Sequence, residues 1–276
     1  MCGAWNEWDA DGLASPNHVG YRSNARRRGN RGPKCVRHLP NETSGGSVPH
    51  QWGERQSMKK PTTVSGLTEF GRVRLSKRFF MRDFLFSDIA AVHGLSNVPD
   101  DPDLAIAAGS RLCEELLEPL QDRFGRIAVR SAFRSCEVNG LGNEMQAAGK
   151  SGYNCASNEA NFAGHIWDRR DAKGRMGATA CVVIPAFWDA FQAEGDWRKL
   201  AWWIHDHLPY SSLYFFPKFW AVNIAWCEEP ERRIDSYTYP KGCLTKLGMA
   251  NNSGSHEQEW AGIEGAMTRG FGRHRA

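Results

Sequence analysis

The stretch GHIWDRRDAKGRMGATACVVIP, at positions 164–185, concentrates side chains that could bind a metal ion. His165, Asp168 and Asp171 are spaced three apart, so His165 and Asp168 could face one ion from a helical turn or a tight loop. A hydrolytic zinc site needs about three protein ligands and one open position for the water that it activates. The stretch therefore contains part of a zinc ligand set.

The same carboxylates have a plainer interpretation. Asp168 and Asp171 could instead form ion pairs with Arg169, Arg170 or Arg175 on a solvated loop, as charged side chains close in sequence often do. The spacing alone favours this interpretation.

Cysteine and histidine side chains elsewhere also admit two interpretations. Cys181 lies in an apolar run, where a cysteine is usually a small hydrophobic residue, although a dyad with His165 is conceivable. His205 and His207 flank Asp206 at the end of an expected helix, where residues two apart point in different directions. A helix C-terminus that favours imidazole is the simpler explanation for them.

Arg134 follows an expected strand in the segment RSAFRS, positions 130–135, with Ser131 and Ser135 around it. An arginine at a strand end can hold a substrate carboxylate through a bidentate pair, or it can anchor a loop.

The elements that must position these residues follow from hydrophobic periodicity. The sequence predicts a helix from Pro102 with Asp101 as its N-cap and a kink at Pro119, and a second helix over 197–208. Strands are predicted over 126–133, 178–185, 212–216 and 221–226, the last two as a hairpin, with a long loop that holds at most one weak helix over 136–163. This order indicates an α+β domain with a small, mainly antiparallel sheet.

Composition divides the chain into four segments. Residues 1–57 carry eight Lys or Arg against five Asp or Glu and little apolar surface, which predicts a disordered basic extension. Residues 58–78 are expected to be a linker, 79–250 the folded domain and 251–276 a flexible tail.

Bulk properties exclude several classes of protein. Of the net charge of +4, the first 57 residues contribute +3, so nucleic acid binding by the folded part is not expected. The eight cysteines show no CxxC pair, which favours free thiols in a reducing compartment. Neither a signal peptide nor a membrane span is predicted, so we expect a cytoplasmic protein that would act at the cell wall only if delivered there. The oligomeric state is left open.

Residues 79–240 resemble the zinc D-Ala-D-Ala carboxypeptidases, a family of peptidoglycan peptidases. The resemblance rests on a kinked helix containing LEPL, a following FG, a strand and the loop SAFRSCEVN at 131–139, where the family has SGYRSxxxN. It implies the hedgehog/DD-peptidase fold, in which helices pack on an antiparallel sheet that holds one zinc ion, and a cell-wall peptide as the partner.

Only some of the family's functional residues have a match in this sequence. His165 matches the first zinc ligand, although Ala163 replaces the serine before it. The segment GATAC places Cys181 where the family has its aspartate ligand, and AVNIA places Asn223 where it has a histidine. The catalytic glutamate position falls near Phe216.

The resemblance implies that Arg134 keeps its role with the substrate carboxylate, and Ser131, Ser135 and Asn223 are the other candidate substrate contacts.

Two hypotheses follow from this pattern. In the first, a relocated peptidase site holds zinc through His165, Asp168 and Cys181, with Asp171 from the inserted loop as the base. Asp171, Cys227 and His207 are the alternative ligands. In the second, the fold is a non-catalytic module that binds a cell-wall peptide or a protein. A third hypothesis, from another class, is an RNA-binding or assembly factor that uses the basic N-terminus.

Overall fold

A computed structural model describes residues 57–263 of the chain. The expectations of a disordered extension over 1–56, of RNA binding by that segment, and of a flexible tail over 264–276 lie outside these residues. Within 57–263, no helix has the length and apolar character needed to cross a membrane.

The described part contains both helices and strands, which confirms the α+β class. The α-helices are α1 Val64–Gly71, α2 Asp88–His93, α3 Pro102–Leu112, α4 Glu118–Phe124, α5 Cys136–Ala147, α6 Asn158–Asn161, α7 Pro185–Phe191, α8 Arg198–His207 and α9 Glu257–Trp260. A π-helical turn, Cys113–Leu117, joins α3 to α4, and short 3-10 helices lie at Met81–Phe84, Lys218–Trp220 and Ala250–Asn252. The strands are β1 Ala128–Ser131, β2 Gly177–Val183, β3 Ser212–Phe215, β4 Val222–Cys227, β5 Arg233–Ser236 and β6 Gly242–Thr245.

The six strands form one sheet in the order β1-β2-β4-β3-β5-β6. Strands β3 and β4 form the predicted antiparallel pair. After β4 the chain returns to the free side of β3, so β5 runs in the same direction as β3 and pairs with it in parallel. The sheet is therefore mixed, although its other pairings are antiparallel.

One face of the sheet packs on the helical core. Alternate residues of β2 and β4 are buried there, because successive side chains of a strand point to opposite faces. They are Ala178, Ala180, Val182, Val222, Ile224 and Trp226. The opposite face is the one that carries the polar residues discussed below.

Helix α3 begins as predicted, since the Asp101 side chain accepts the Leu104 N–H and Pro102 occupies the first turn. The predicted kink at Pro119 takes the form of the π-helical turn immediately before it, where Glu118 N–H bonds to the Cys113 carbonyl. A proline inside a helix lacks an N–H and crowds the preceding turn, so a wider turn at this point accommodates it.

Three predictions about order were wrong. Residues 58–78 are not a linker, because they contain α1 and place Phe70 and Leu75 in the core at 0% and 1% exposure. The segment 136–163, expected to be a loop with at most one weak helix, contains the twelve-residue helix α5 and the short helix α6. The start of the expected tail is also ordered, since it includes α9 and buries Ile263 in the core.

If residues 58–78 belong to the folded domain, truncating a buried side chain there will destabilise all of it. We expect Phe70→Ala to lower the free energy of unfolding by about 3–5 kcal/mol, the usual cost of removing a buried phenyl ring. Val64→Ala in the same helix is the control, because Val64 is 86% exposed. Chemical denaturation measures both, and equal midpoints would contradict the assignment.

Candidate functional site

A row of polar side chains crosses the face of the sheet that is opposite to the core. The strand registers place its members directly across from one another. From β1 to β6 the row is Ser131, Cys181, Asn223, Tyr214, Asp235 and Cys243. The two positions that the family resemblance assigns to metal ligands, Cys181 and Asn223, are therefore cross-strand neighbours.

A β-bulge adds an arginine to this face. Val129 pairs with Val182 and Ser131 pairs with Cys181, so Arg130 is the extra residue between two regular pairs. Bulges redirect side chains locally and are common beside binding sites. The exposed guanidinium of Arg130 interacts electrostatically with Cys181 and opposes the elevation of the pKa of that thiol.

Arg134 lies beside the same strand pair. Its Nη1 is 2.6 Å from Sγ of Cys155, it interacts electrostatically with Cys181, and its Nε is buried without a hydrogen-bond acceptor. Burial lowers the pKa of the guanidinium, and the two thiols partly offset that effect. No carboxylate in residues 57–263 forms an ion pair with Arg130 or Arg134, although most arginines of this domain have one.

His165 contacts the loop that carries Arg134. Its main-chain oxygen accepts the Arg134 N–H at 2.8 Å, and its ring Nδ1 lies 2.7 Å from the Ala132 carbonyl oxygen. The carbonyl can only accept, so Nδ1 carries the proton and Nε2 is the basic nitrogen. Burial, with a smaller contribution from the positive charge of Arg134, lowers the pKa of His165 to about 3, so the ring is neutral at physiological pH.

Cys181 is a protonated thiol in this environment. Burial raises its pKa to about 11, and the opposing influence of Arg130 and Arg134 is smaller. A protonated thiol is a weak nucleophile. The raised pKa of Cys181 therefore gives little support to a nucleophilic dyad with His165.

We call the five residues Arg130, Arg134, His165, Cys181 and Asn223 the sheet-face site. Its charged members are both cations. Its other side chains are a neutral imidazole, a protonated thiol and an amide.

The Cys155 side of the site is fixed by helix α5. Asn143 donates to the Cys155 carbonyl at 2.8 Å, and the Gln146 side chain accepts the Cys155 N–H at 2.6 Å. Gly142 faces the thiol so closely that a Cβ there would lie 2.5 Å from Cys155 Sγ. One turn earlier, Asn139 binds the following segment through the Ala156 carbonyl. A polar helix thus holds the thiol against Arg134.

Asp168, a candidate metal ligand, is engaged elsewhere. Its carboxylate accepts the main-chain N–H groups of Asp100 and Asp101 at 2.6 and 3.4 Å, and Arg169 approaches at 3.5 Å. Burial raises the pKa of Asp168. Asp168 is not among the groups that hydrogen-bond to His165 or shift its pKa. The structure therefore assigns Asp168 to anchoring the loop before α3.

Asp171, the candidate base, closes a turn. Its side chain accepts the main-chain N–H groups of Lys173 and Arg175 and pairs with the Arg175 guanidinium. Burial opposes these bonds, but together they lower the pKa of Asp171, so it holds a proton weakly. The ion-pair interpretation describes this residue, and the structure does not bring it to His165.

The two serines differ. Ser135 is the N-cap of α5, where its hydroxyl accepts the Val138 N–H and donates to the Ser96 carbonyl, so its hydroxyl is engaged in the fold. Ser131 faces Cys181 across β1 and β2 and remains beside the site.

The donor set of the sheet-face site does not fit zinc. Tetrahedral zinc requires thiolate, imidazole or carboxylate ligands. Here Asn223 is an amide, and the positive charge of Arg134 acts on both His165 and Cys181. A second cation would be repelled from this position. Within residues 57–263 no group of three His, Cys, Asp or Glu is arranged to hold a metal ion.

A cavity with polar lining lies elsewhere, at the end of α8. It measures about 440 Å³ and is lined by residues that include His205, Asp206 and His207. Asp206 accepts bonds from the His256 main chain, the His256 ring and the Trp260 indole, at 2.7, 2.7 and 2.8 Å. The cavity groups therefore mainly attach the C-terminal segment to α8. Burial lowers the pKa of His205, so the helix end does not favour a charged imidazole at that residue.

Comparison with known proteins gives no assignment. No family model, no curated protein and no solved structure matches the chain significantly.

The sequence alone did not identify Arg130 or Cys155 as site residues. The bulge at Arg130 depends on how β1 pairs with β2. Cys155 had one available signal, because Asn139, Asn143 and Gln146 recur at helical spacing and form a polar stripe that must bind something.

We expect Gly142→Ala to destabilise the protein by about 1–3 kcal/mol, because its Cβ would overlap Cys155 Sγ and would lie 2.8 Å from Ile89 Cδ1. Gly140→Ala in the same helix is the control: its Cβ would come no closer than 3.5 Å to the Asn158 side chain, so it should be neutral or stabilising by up to about 1 kcal/mol. Adding Cys155→Ala should recover part of the Gly142→Ala loss. Denaturant titration measures all three, and a Gly142→Ala protein as stable as wild type would contradict the packing.

His165 should make the protein less stable in acid. The unfolded chain binds a proton at this residue near pH 6.5, whereas the folded chain does so only near pH 3. The free energy of unfolding therefore falls as pH drops below 6.5. His165→Asn keeps a donor for Ala132 without a titrating ring, so its loss of stability between pH 7 and pH 5 should be about 2 kcal/mol smaller than in wild type. Equal losses would show that His165 is not buried and neutral.

Proposed function

We propose that this protein is a non-catalytic module that binds a peptide through its free C-terminal carboxylate. The observation that carries the proposal is the pair of guanidinium groups, Arg130 and Arg134, which face Cys181 without a carboxylate partner in the described chain. Arg134 is half-buried and its Nε has no acceptor, and such an arginine normally has an anionic partner, because removing its charge from water is costly. A ligand carboxylate would supply that partner.

The remaining site residues suit a peptide. Asn223 lies next to Cys181 in the sheet, and its amide forms no hydrogen bond to the residues of 57–263. An amide both donates and accepts, so it can pair with a peptide group of a ligand. Together with the resemblance to peptidoglycan peptidases, this favours a cell-wall stem peptide as the ligand class.

Hydrolysis is the alternative function, and the site offers it little support. Phe216, near the position of the family's catalytic glutamate, packs its ring against Tyr214 and Tyr237. The candidate replacement base, Asp171, is committed to its turn, and the ligand set does not fit zinc. Without a base or a metal to activate water, peptide cleavage loses its main sources of acceleration.

The test compares a fluorescent stem peptide ending in D-Ala-D-Ala with its C-terminal amide, by anisotropy. We expect the amide to bind roughly 10–100-fold more weakly, the range that corresponds to losing a charge-assisted hydrogen bond. Arg130→Met should weaken the acid to a similar extent and leave the amide unchanged. Arg72→Met on α1 is the control, because Arg72 forms an exposed pair with Glu69.

Equal binding of acid and amide would overturn the proposal. Release of the terminal residue would also overturn it, because that result would establish the peptidase instead. Mass spectrometry of the same peptide, incubated with and without added zinc, detects that release.

A further inference from the structure

Three aromatic rings form a half-buried cluster on the sheet beside the sheet-face site. The ring centroids of Tyr214 lie 4.8 Å from Tyr237 and 5.4 Å from Phe216, and those of Phe216 and Tyr237 are 6.1 Å apart. Tyr214 pairs directly with Asn223 across β3 and β4, so the cluster shares the face of the site. We call it the aromatic surface.

The distance from the arginines to this surface matches a short peptide. Neighbouring strands lie about 4.8 Å apart, so Tyr214 on β3 is roughly 10 Å from Cys181 on β2 and roughly 14 Å from Ser131 on β1. An extended peptide advances about 3.3 Å per residue. A ligand whose carboxylate lies over β1 and β2 would thus place its third or fourth residue from the end on the aromatic surface.

The distribution of charge fixes the direction of such a ligand. On the far side of Tyr214, Asp235 pairs with Arg233 of the same strand, so that side offers a neutralised pair. Arg130 and Arg134 lie together at the β1 end and both act on Cys181, whereas at the β6 end Lys246 acts on Cys243. The two guanidinium groups favour the orientation of a peptide that places its carboxylate at β1.

We propose that the aromatic surface is a specificity subsite that accepts an aromatic or apolar side chain, third or fourth from the C-terminal carboxylate of a bound peptide. The proposal rests on the proposed function, because the arginines set the register from which the position is counted. A saccharide on the same rings is the competing ligand.

The experiment uses fluorescent hexapeptides of alanine with a free C-terminal carboxylate and one phenylalanine, moved from the second to the fifth position from that end. We expect the tightest binding at the third or fourth position, by about three- to tenfold over the all-alanine peptide, which is typical of an added aromatic contact. Tyr237→Leu should remove the preference, and Tyr237→Phe, which keeps the ring, should retain it. Tyr239→Ala is the exposed control, since Tyr239 is 85% accessible.

The outcomes separate the two proposals. If the peptides bind with the same dependence on the free carboxylate but without preference for phenylalanine, the subsite is wrong and the proposed function stands. If the C-terminal amides bind as well as the acids, the proposed function fails. A disaccharide-linked alanine peptide that gains affinity through Tyr237, while the phenylalanine peptides gain none, would also overturn the subsite, because it would assign the rings to a sugar.

Discussion

The pairing of β2 with β4 is the constraint on which the rest of the domain depends. These central strands place Ala180 and Ile224 against the helices, and the same register places Cys181 opposite Asn223 on the other face. A shift of one residue in either strand would exchange the two faces and expose the core positions of that strand. Core burial therefore fixes the arrangement of the polar face. The site residues need no stabilising role of their own, and they can differ chemically from a metal-binding set without loss of the fold.

On that face, positive charge determines what the site can do. The guanidinium of Arg134 acts electrostatically on His165 and Cys181, and burial holds the imidazole and the thiol in their uncharged forms. A metal ion and an unpaired arginine compete for the same electron-rich groups, whereas an anion and an arginine complement one another. The polar helix α5 stabilises this arrangement, because it fixes Cys155, whose thiol contacts the Arg134 guanidinium, and so restricts the movement of that guanidinium. The site is thus better arranged for an anion than for a cation.

Elements that show apolar periodicity were predictable from the sequence. Elements that are held in place by specific polar contacts were not. The start of α3 followed from Asp101 and Pro102, and the β3 and β4 pair followed from its short apolar runs. Helix α5 is rich in Asn and Gly and has little apolar periodicity, and its contacts with the Cys155 segment are visible only in three dimensions. The C-terminal segment was missed for the same reason, since Asp206 binds it from a helix fifty residues earlier in the chain. Within the site, His165, Cys181 and Asn223 could be selected from sequence, whereas the bulge that presents Arg130 could not.

The most direct test is a crystal structure of the protein grown with equimolar zinc and a stem peptide that ends in a free carboxylate. We expect the terminal carboxylate to lie within hydrogen-bonding distance of Arg130 and Arg134. The peptide should cross β2 and β4 towards Tyr214, with its amide groups over Asn223 and no metal ion on His165. A zinc ion bound by His165 and Cys181, with the carboxylate away from both arginines, would contradict it.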